Sequence, residues 1–326
     1  MPEDPDDHGC VIALDVGGTG MKGALLDRGL DPLVTLRRPT PRTAGPGAVV
    51  DEIAATLAVL AGRAAARGLT VHRAGVVVPG VVAEDLRTAV HSANLGWRDL
   101  PLAALLEART RLPVTLGHDV RAGGAAECLL GAARGARNVL FVAIGTGIAA
   151  AVVCDGRPVR ADGHAGELGH VVVEPGGARC ACGGRGCLET VASASAVATA
   201  FAARSGREGT DAADVAALVA RSDRDALAVW DRAADALATA LATATTLLAP
   251  ELIVLGGGLA EAGDLLLGPV RARLADRLTF QRRPGLVRAE LGDRAGCLGA
   301  GLAAWHDVDS TTAPDPRTTG TGARDR

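Results

Sequence analysis

Val11-Ile-Ala-Leu-Asp15-Val-Gly17-Gly18-Thr19-Gly20-Met21-Lys22-Gly23-Ala-Leu-Leu-Asp27 is the stretch on which the fold turns. Residues 11–15 form an apolar run ending in an acid, which reads as a buried strand. A glycine turn follows, and residues 23–27 and 33–36 read as further strands. Gly18, Gly20 and Gly23 also match the G-x-G-x-x-G spacing of a dinucleotide-binding turn. That motif must open a helix and be followed about twenty residues later by an acid that holds the ribose. Here a strand follows the turn, and Arg37-Arg38 occupy the later position. The element is therefore strand, glycine turn, strand.

The same pattern recurs. Residues 139–144 read as a strand, Gly145-Thr146-Gly147 as the turn, and residues 148–154 as the returning strand. Exposed backbone N–H groups and a threonine hydroxyl in such a turn can line up on phosphate oxygens. One glycine turn is ordinary punctuation. Two, one in each half of the chain, would grip a polyphosphate from both sides, and a third, Gly256-Gly257-Gly258, follows the strand at 252–255. The Asp15 carboxylate suits Mg²⁺ and its waters better than it suits phosphate. Elsewhere apolar spacing predicts helices over 47–67, 102–111, 121–133, 193–203, 212–220 and 224–248, and strands over 74–78 and 114–116. His118-Asp119 falls just beyond the carboxyl end of the latter, where open α/β sheets place ligands.

A second signal lies in Glu167-Leu-Gly-His170 and Cys180-Ala-Cys182-Gly-Gly-Arg-Gly-Cys187-Leu-Glu189. His170, Cys180, Cys182 and Cys187 supply one imidazole and three thiolates, the ligand set of tetrahedral zinc. With all four positions filled by protein such a site is structural. Glu167 and His170, three residues apart, can aim at one ligand. His170 can serve twice, one ring nitrogen on zinc and the other on a substrate oxygen. Cys10, Cys128, Cys154 and Cys297 lie in apolar contexts and read as inert buried thiols.

The chain has 326 residues, 48% of them hydrophobic, enough for two lobes with buried cores. A net charge of −3 without a basic block gives no attraction for nucleic acid or an anionic membrane, so small molecules are the expected partners. No apolar h-region at the N-terminus and no bilayer-length apolar stretch are found, and the expected setting is cytoplasmic. Residues 1–9 and 307–326 read as disordered tails.

With two candidate phosphate loops and, after the second, the Glu167 to Glu189 segment, the chain resembles the ROK sugar kinases of the actin-like ATPase superfamily, typified by bacterial glucokinases. The resemblance runs from about Val11 to Trp305, and the Glu167 to Glu189 segment is its most specific part. It implies an α/β, actin-like ATPase (ribonuclease H-like) two-lobed fold with a structural zinc site. Residues 10–120 with 296–306 would form the small lobe, and 121–295 the large lobe carrying the zinc motif and the adenosine loop. It implies ATP, Mg²⁺ and Zn²⁺ as cofactors and a homodimer or homotetramer.

By the same resemblance Asp15, Gly17, Gly18 and Thr19 would form the first phosphate loop, Gly145, Thr146 and Gly147 the second, and Gly256, Gly257 and Gly258 the adenosine loop. Asn94, His118, Glu167, His170 and Glu189 would contact the sugar, and Asp119 would be the general base that takes the proton of its primary hydroxyl. A hexose is recognised by paired carboxylates and amides, which reject wrong epimers when left unpaired. Most members carry Asn where this chain has His118, which leaves the sugar open. Thr19-Gly20 also stands where many relatives have Thr-Lys. Glucose is the first expectation. N-acetylmannosamine, fructose, allose or a C7-cyclitol as acceptor, and polyphosphate as donor, are the alternatives. A different class is the non-catalytic sugar sensor or ROK repressor, which carries a winged-helix domain ahead of the first loop. Only a short acidic segment precedes Asp15 here.

Overall fold

In the computed structural model, which describes residues 9–312, the opening stretch is a strand hairpin. β1 (Gly9–Val16) turns through residues 17–19 into β2 (Gly20–Leu26), its antiparallel neighbour. A dinucleotide turn needs a helix where β2 runs, so the backbone excludes that reading. β3 (Pro32–Pro39) pairs with β2, and α1 (Pro46–Ala65) follows. α1 begins on a proline, whose fixed φ suits a first helical turn. Its Val49, Ile53, Leu57 and Leu60 recur at helical spacing and are buried. β4 (Thr70–Val78) then lies parallel to β1. β5 (Val81–Val82), β6 (Ala89–Ser92) and β7 (Trp97–Leu100) form a separate small sheet. These strands are too short to leave a period-two pattern, so sequence periodicity is silent over them. α2 (Leu102–Thr110) leads into β8 (Val114–His118), completing a sheet of order β3-β2-β1-β4-β8.

α3 (Asp119–Leu130) starts on the next residue, two positions before the start expected from sequence. An acid in the first turn suits the positive end of the helix dipole. β9 (Val139–Ile144), β10 (Ile148–Cys154) and β11 (Arg157–Pro158) make the second meander. After the segment that carries His170 and the three clustered cysteines come α4 (Glu189–Ala192), α5 (Ala194–Ser205), α6 (Ala212–Ala220) and α7 (Arg224–Leu248). β12 (Leu252–Gly256), α8 (Asp264–Arg277) and β13 (Gly285–Arg288) follow, giving the sheet order β11-β10-β9-β12-β13. In both five-stranded sheets the first three strands are antiparallel and the last two join parallel. The chain therefore builds one topology twice.

α9 (Ala295–Thr312) returns to the first sheet. A Cβ on Gly75 would lie 2.0 Å from the Ala300 carbonyl oxygen, and one on Gly301 2.4 Å from Leu26 Cδ1. The missing methyl groups let helix and sheet approach closely. α1 covers the opposite face, where Gly23 leaves room for Leu60. Contacts divide the chain into two compact units, one running to Asp119 and resuming at Cys297, the other Val120–Gly296.

Several expectations are corrected. The C-terminal tail does not begin at 307, because α9 continues to Thr312. Thr115 Oγ1 donates to Asp307 Oδ2 at 2.5 Å, and Arg28 pairs with Asp309 at 2.5 Å, so two acids of the expected tail are tied to β8 and to the turn after β2. Gly9, expected in a tail, pairs with Thr70 in the β1–β4 ladder. The remainder of both tails, residues 1–8 and 313–326, lies outside the described residues. Cys10 and Cys297 are buried, whereas Cys128 and Cys154 are partly exposed. Among the described residues no helix is long and apolar enough to cross a membrane.

Candidate functional site

In the first unit the turn at 17–19 is pinned by its own backbone and by the segment after β3. Gly17 N donates to Gly20 O at 2.9 Å, and Thr40 N donates to Thr19 O at 3.1 Å. Thr40 Oγ1 donates to Gly17 O at 2.7 Å. The Thr19 side chain stays exposed, as a phosphate contact requires. Asp15 lies directly across from Lys22, so both side chains leave the same face of the sheet. Burial pushes the Cys297 thiol on α9 up to about 12, with the Asp15 charge adding to the shift and Lys22 opposing it. The chain's single lysine thus stands beside this carboxylate, a direction that alternation alone left open. Arg42 Nη1 sits 3.7 Å from where a Gly18 Cβ would be. Sequence reading missed this cation, since it arrives from beyond β3.

Asp15 pairs with Val77, and Val77 with Gly117, so the carboxyl ends of β1 and β8 lie level with β4 between them. Two interstrand spacings of ~4.8 Å set those two ends roughly 10 Å apart. Asp119 enters from the first turn of α3 with its side chain 28% exposed, while that of His118 is 7% exposed. His118 Nδ1 lies 3.4 Å from Asp119 Oδ1. The sequence suggests His118 as a sugar contact; the fold buries it against the carboxylate of its neighbour. Asn94 is exposed in the turn between β6 and β7. That turn is anchored by Trp97 Nε1, which donates to Pro46 O at 3.2 Å.

In the second unit Gly145 N donates to Gly147 O at 2.9 Å, and Ala194 N donates to Gly145 O at 2.8 Å. Ser195 Oγ donates to Thr146 O at 3.0 Å. Gly256 pairs with Ala143, so the run Gly256-Gly257-Gly258 emerges beside the second loop at the carboxyl ends of parallel strands. Gly257 has φ +81°, and a Cβ there would lie 2.5 Å from the Ile144 carbonyl oxygen. Only glycine combines that backbone with that approach.

The side chains of His170, Cys180, Cys182 and Cys187 bring four potential ligand atoms within 4.8 Å of one another. Cys180 Sγ lies 3.7 Å from His170 Nδ1, and Cys182 Sγ lies 3.7 Å from Cys187 Sγ. A tetrahedral site with Zn–S bonds of ~2.3 Å has a sulfur–sulfur edge of about 3.8 Å. A disulfide would need ~2.05 Å. The spacing therefore fits metal ligation. The Gly184 amide holds the Cys182 thiol below the usual thiol range, with Cys180 contributing. Burial pushes the Cys187 thiol up to about 12, and the neighbouring thiols add to it. Thiolates crowded this way ionise together only around a cation.

His170 ends a 3₁₀ turn over Leu168–His170 that begins right after Glu167. With Nδ1 on the cysteine side, its Nε2 lies 3.7 Å from Glu167 Oε2. The imidazole thus presents one nitrogen to the cysteines and the other toward the acid. Glu189 Oε2 accepts from Ile148 N at 2.8 Å. Sequence spacing cannot show this link between the zinc segment and the second glycine loop, because it spans two distant segments.

The sequence model of the ROK family matches residues 11–307. The chain is 35% identical over 314 residues to a glucokinase of Halalkalibacterium halodurans, covering 89% of this chain and 93% of that protein. It is 31% identical over 302 residues to an N-acetylmannosamine kinase of Salmonella arizonae, covering 91% of this chain and 99% of that protein. A crystal structure of a ROK family glucokinase from Streptomyces griseus, in complex with glucose and AMPPNP, superposes with a TM-score of 0.81 at 28% identity. The match covers 91% of this chain and all 100% of that one.

Proposed function

Because the chain belongs to the ROK family and is an ATP-dependent sugar kinase, we propose that it phosphorylates the primary hydroxyl of glucose. The observation that carries this reading is Asp119, a partly exposed carboxylate at the carboxyl end of β8 and the start of α3. Phosphoryl transfer asks a protein mainly to position the nucleophile and to neutralise charge, while a carboxylate accepts the hydroxyl proton. Asp119 takes that proton. Glu167 and Glu189 accept hydrogen bonds from sugar hydroxyls, and Asn94 and His170 supply donors to them. The backbone N–H groups of Gly18, Thr19, Thr146 and Gly147, left over by the turn hydrogen bonds of Gly17 and Gly145, hold phosphate oxygens with the Thr19 and Thr146 hydroxyls, and Gly256-Gly257-Gly258 lies against adenosine. Asp15 would hold Mg²⁺ through its waters, and the ion when bound would neutralise phosphate charge. His170, Cys180, Cys182 and Cys187 would hold a zinc ion with four protein ligands, which would make it a structural metal. The Nε2 of His170 is then held in one orientation for the sugar.

A panel of glucose, N-acetylmannosamine, fructose, allose and a C7-cyclitol, each assayed with ATP and Mg²⁺ and again with polyphosphate, tests this. Glucose with ATP is expected to give the highest kcat/KM. A higher value on any other pair replaces glucose or ATP in the proposal, and binding without turnover on every acceptor would overturn the catalytic roles.

His118→Asn gives a separate expectation. The Nδ1 contact with Asp119 supports a positioning role, so kcat is expected to fall by a similar factor for every sugar while their ranking stays the same. A changed ranking would make His118 a direct sugar contact instead.

A further inference from the structure

Glu189 reads from the sequence as a sugar contact, yet one of its oxygens is already engaged in the fold. Oε2 accepts from the amide of Ile148, the residue immediately after Gly145-Thr146-Gly147, at 2.8 Å. A Cβ on Gly147 would lie only 2.4 Å from the same oxygen, so the loop passes directly against the carboxylate. Oε1 stands 3.9 Å from that position and makes no hydrogen bond among the described residues. The other side of the loop rests on Ala194 N and Ser195 Oγ, just beyond α4. Residues 189–195, which follow the last cysteine of the zinc segment almost at once, are therefore the bed on which the second glycine loop lies.

We propose that Glu189 is a positioning residue for the second phosphate loop. Oε2 fixes the Ile148 amide and with it the backbone of residues 145–147, and Oε1 is left for a sugar hydroxyl. A single carboxylate then couples acceptor to donor: a sugar that orders Glu189 also orders the loop that binds the donor's phosphates. This inference rests on the reading of 145–147 as a phosphate loop and of Glu189 as a sugar contact. Coupling of this kind is reciprocal, so glucose and nucleotide must raise each other's affinity by the same factor.

The test is calorimetric titration of MgADP into the zinc-loaded protein, with and without saturating glucose, with zinc content and thermal stability recorded for every variant. Glucose is expected to tighten MgADP binding to the wild-type protein. Glu189→Ala removes a hydrogen bond to a charged acceptor, worth a factor of about ten or more, and is expected to weaken MgADP to that extent even without glucose. It also abolishes the effect of glucose. Glu189→Gln keeps an oxygen that accepts from Ile148 N and is expected to recover most of the sugar-free affinity. Unchanged sugar-free MgADP binding in Glu189→Ala would overturn the proposal and leave Glu189 a sugar contact only. Glu189→Gln no better than Glu189→Ala would also overturn it. Thr146→Ala separates the two layers. If Thr146→Ala weakens MgADP while Glu189→Ala does not, the positioning role alone fails; if Thr146→Ala changes nothing, the phosphate-loop reading fails and takes this inference with it.

Discussion

Asp119→Asn is expected to lower kcat by about 10²–10⁴-fold, the usual contribution of a positioned general base, while the dissociation constant of the sugar changes little. The amide has almost the volume of the carboxylate and can still accept a hydrogen bond from a hydroxyl, but it cannot take a proton at neutral pH. Asp119 lies in the first turn of α3, where an acid also favours the helix dipole by about 0.3–1 kcal/mol. A purely structural role would therefore appear as a small loss of thermal stability with kcat intact. Steady-state kinetics and direct sugar titration on the same preparation separate the two. Full turnover in Asp119→Asn would put the base elsewhere.

The second large effect is expected from Cys182→Ser. This cysteine is exposed, whereas Cys180 and Cys187 are buried, so its replacement removes one thiol of the proposed ligand set without opening a cavity. Structural zinc in small sites contributes on the order of 10–16 kcal/mol of apparent binding free energy, which is also folding free energy of the segment it closes. Losing one of four ligands should cost most of the bound zinc, lower the thermal midpoint and raise KM for the sugar, because His170 loses its anchor. Metal analysis, a melting curve and sugar kinetics check this together. Wild-type sugar KM in a protein shown to be zinc-free would separate the metal from recognition.

The segments from which both candidate sites are proposed were legible along the chain because each is local. A strand, a glycine turn and a returning strand occupy consecutive residues, and three cysteines fall within eight positions of one another at Cys180, Cys182 and Cys187. The strand limits at 139–144 and 148–154 and the helices at 212–220 and 224–248 come out where apolar spacing puts them. The small sheet of β5, β6 and β7, which carries Asn94, did not. Its strands are two to four residues long, shorter than one readable period.

The sequence by itself determined the kind of protein: strand-turn-strand elements in place of a dinucleotide turn, a ligand set for a closed zinc site, and an acid at the end of β8. Each follows from residue chemistry over a few neighbouring positions. Only the tertiary structure decided how those parts meet. Lys22 stands beside Asp15 because β1 and β2 pair in that register. His118 is turned onto Asp119 because β8 ends where α3 begins. α9 continues past residue 306, and Thr115 and Arg28 meet its acids at Asp307 and Asp309. Glu189 carries the second glycine loop because the Ile148 amide arrives from a strand far away in the chain. Such contacts depend on register and packing between distant segments, and no local pattern of residues encodes them.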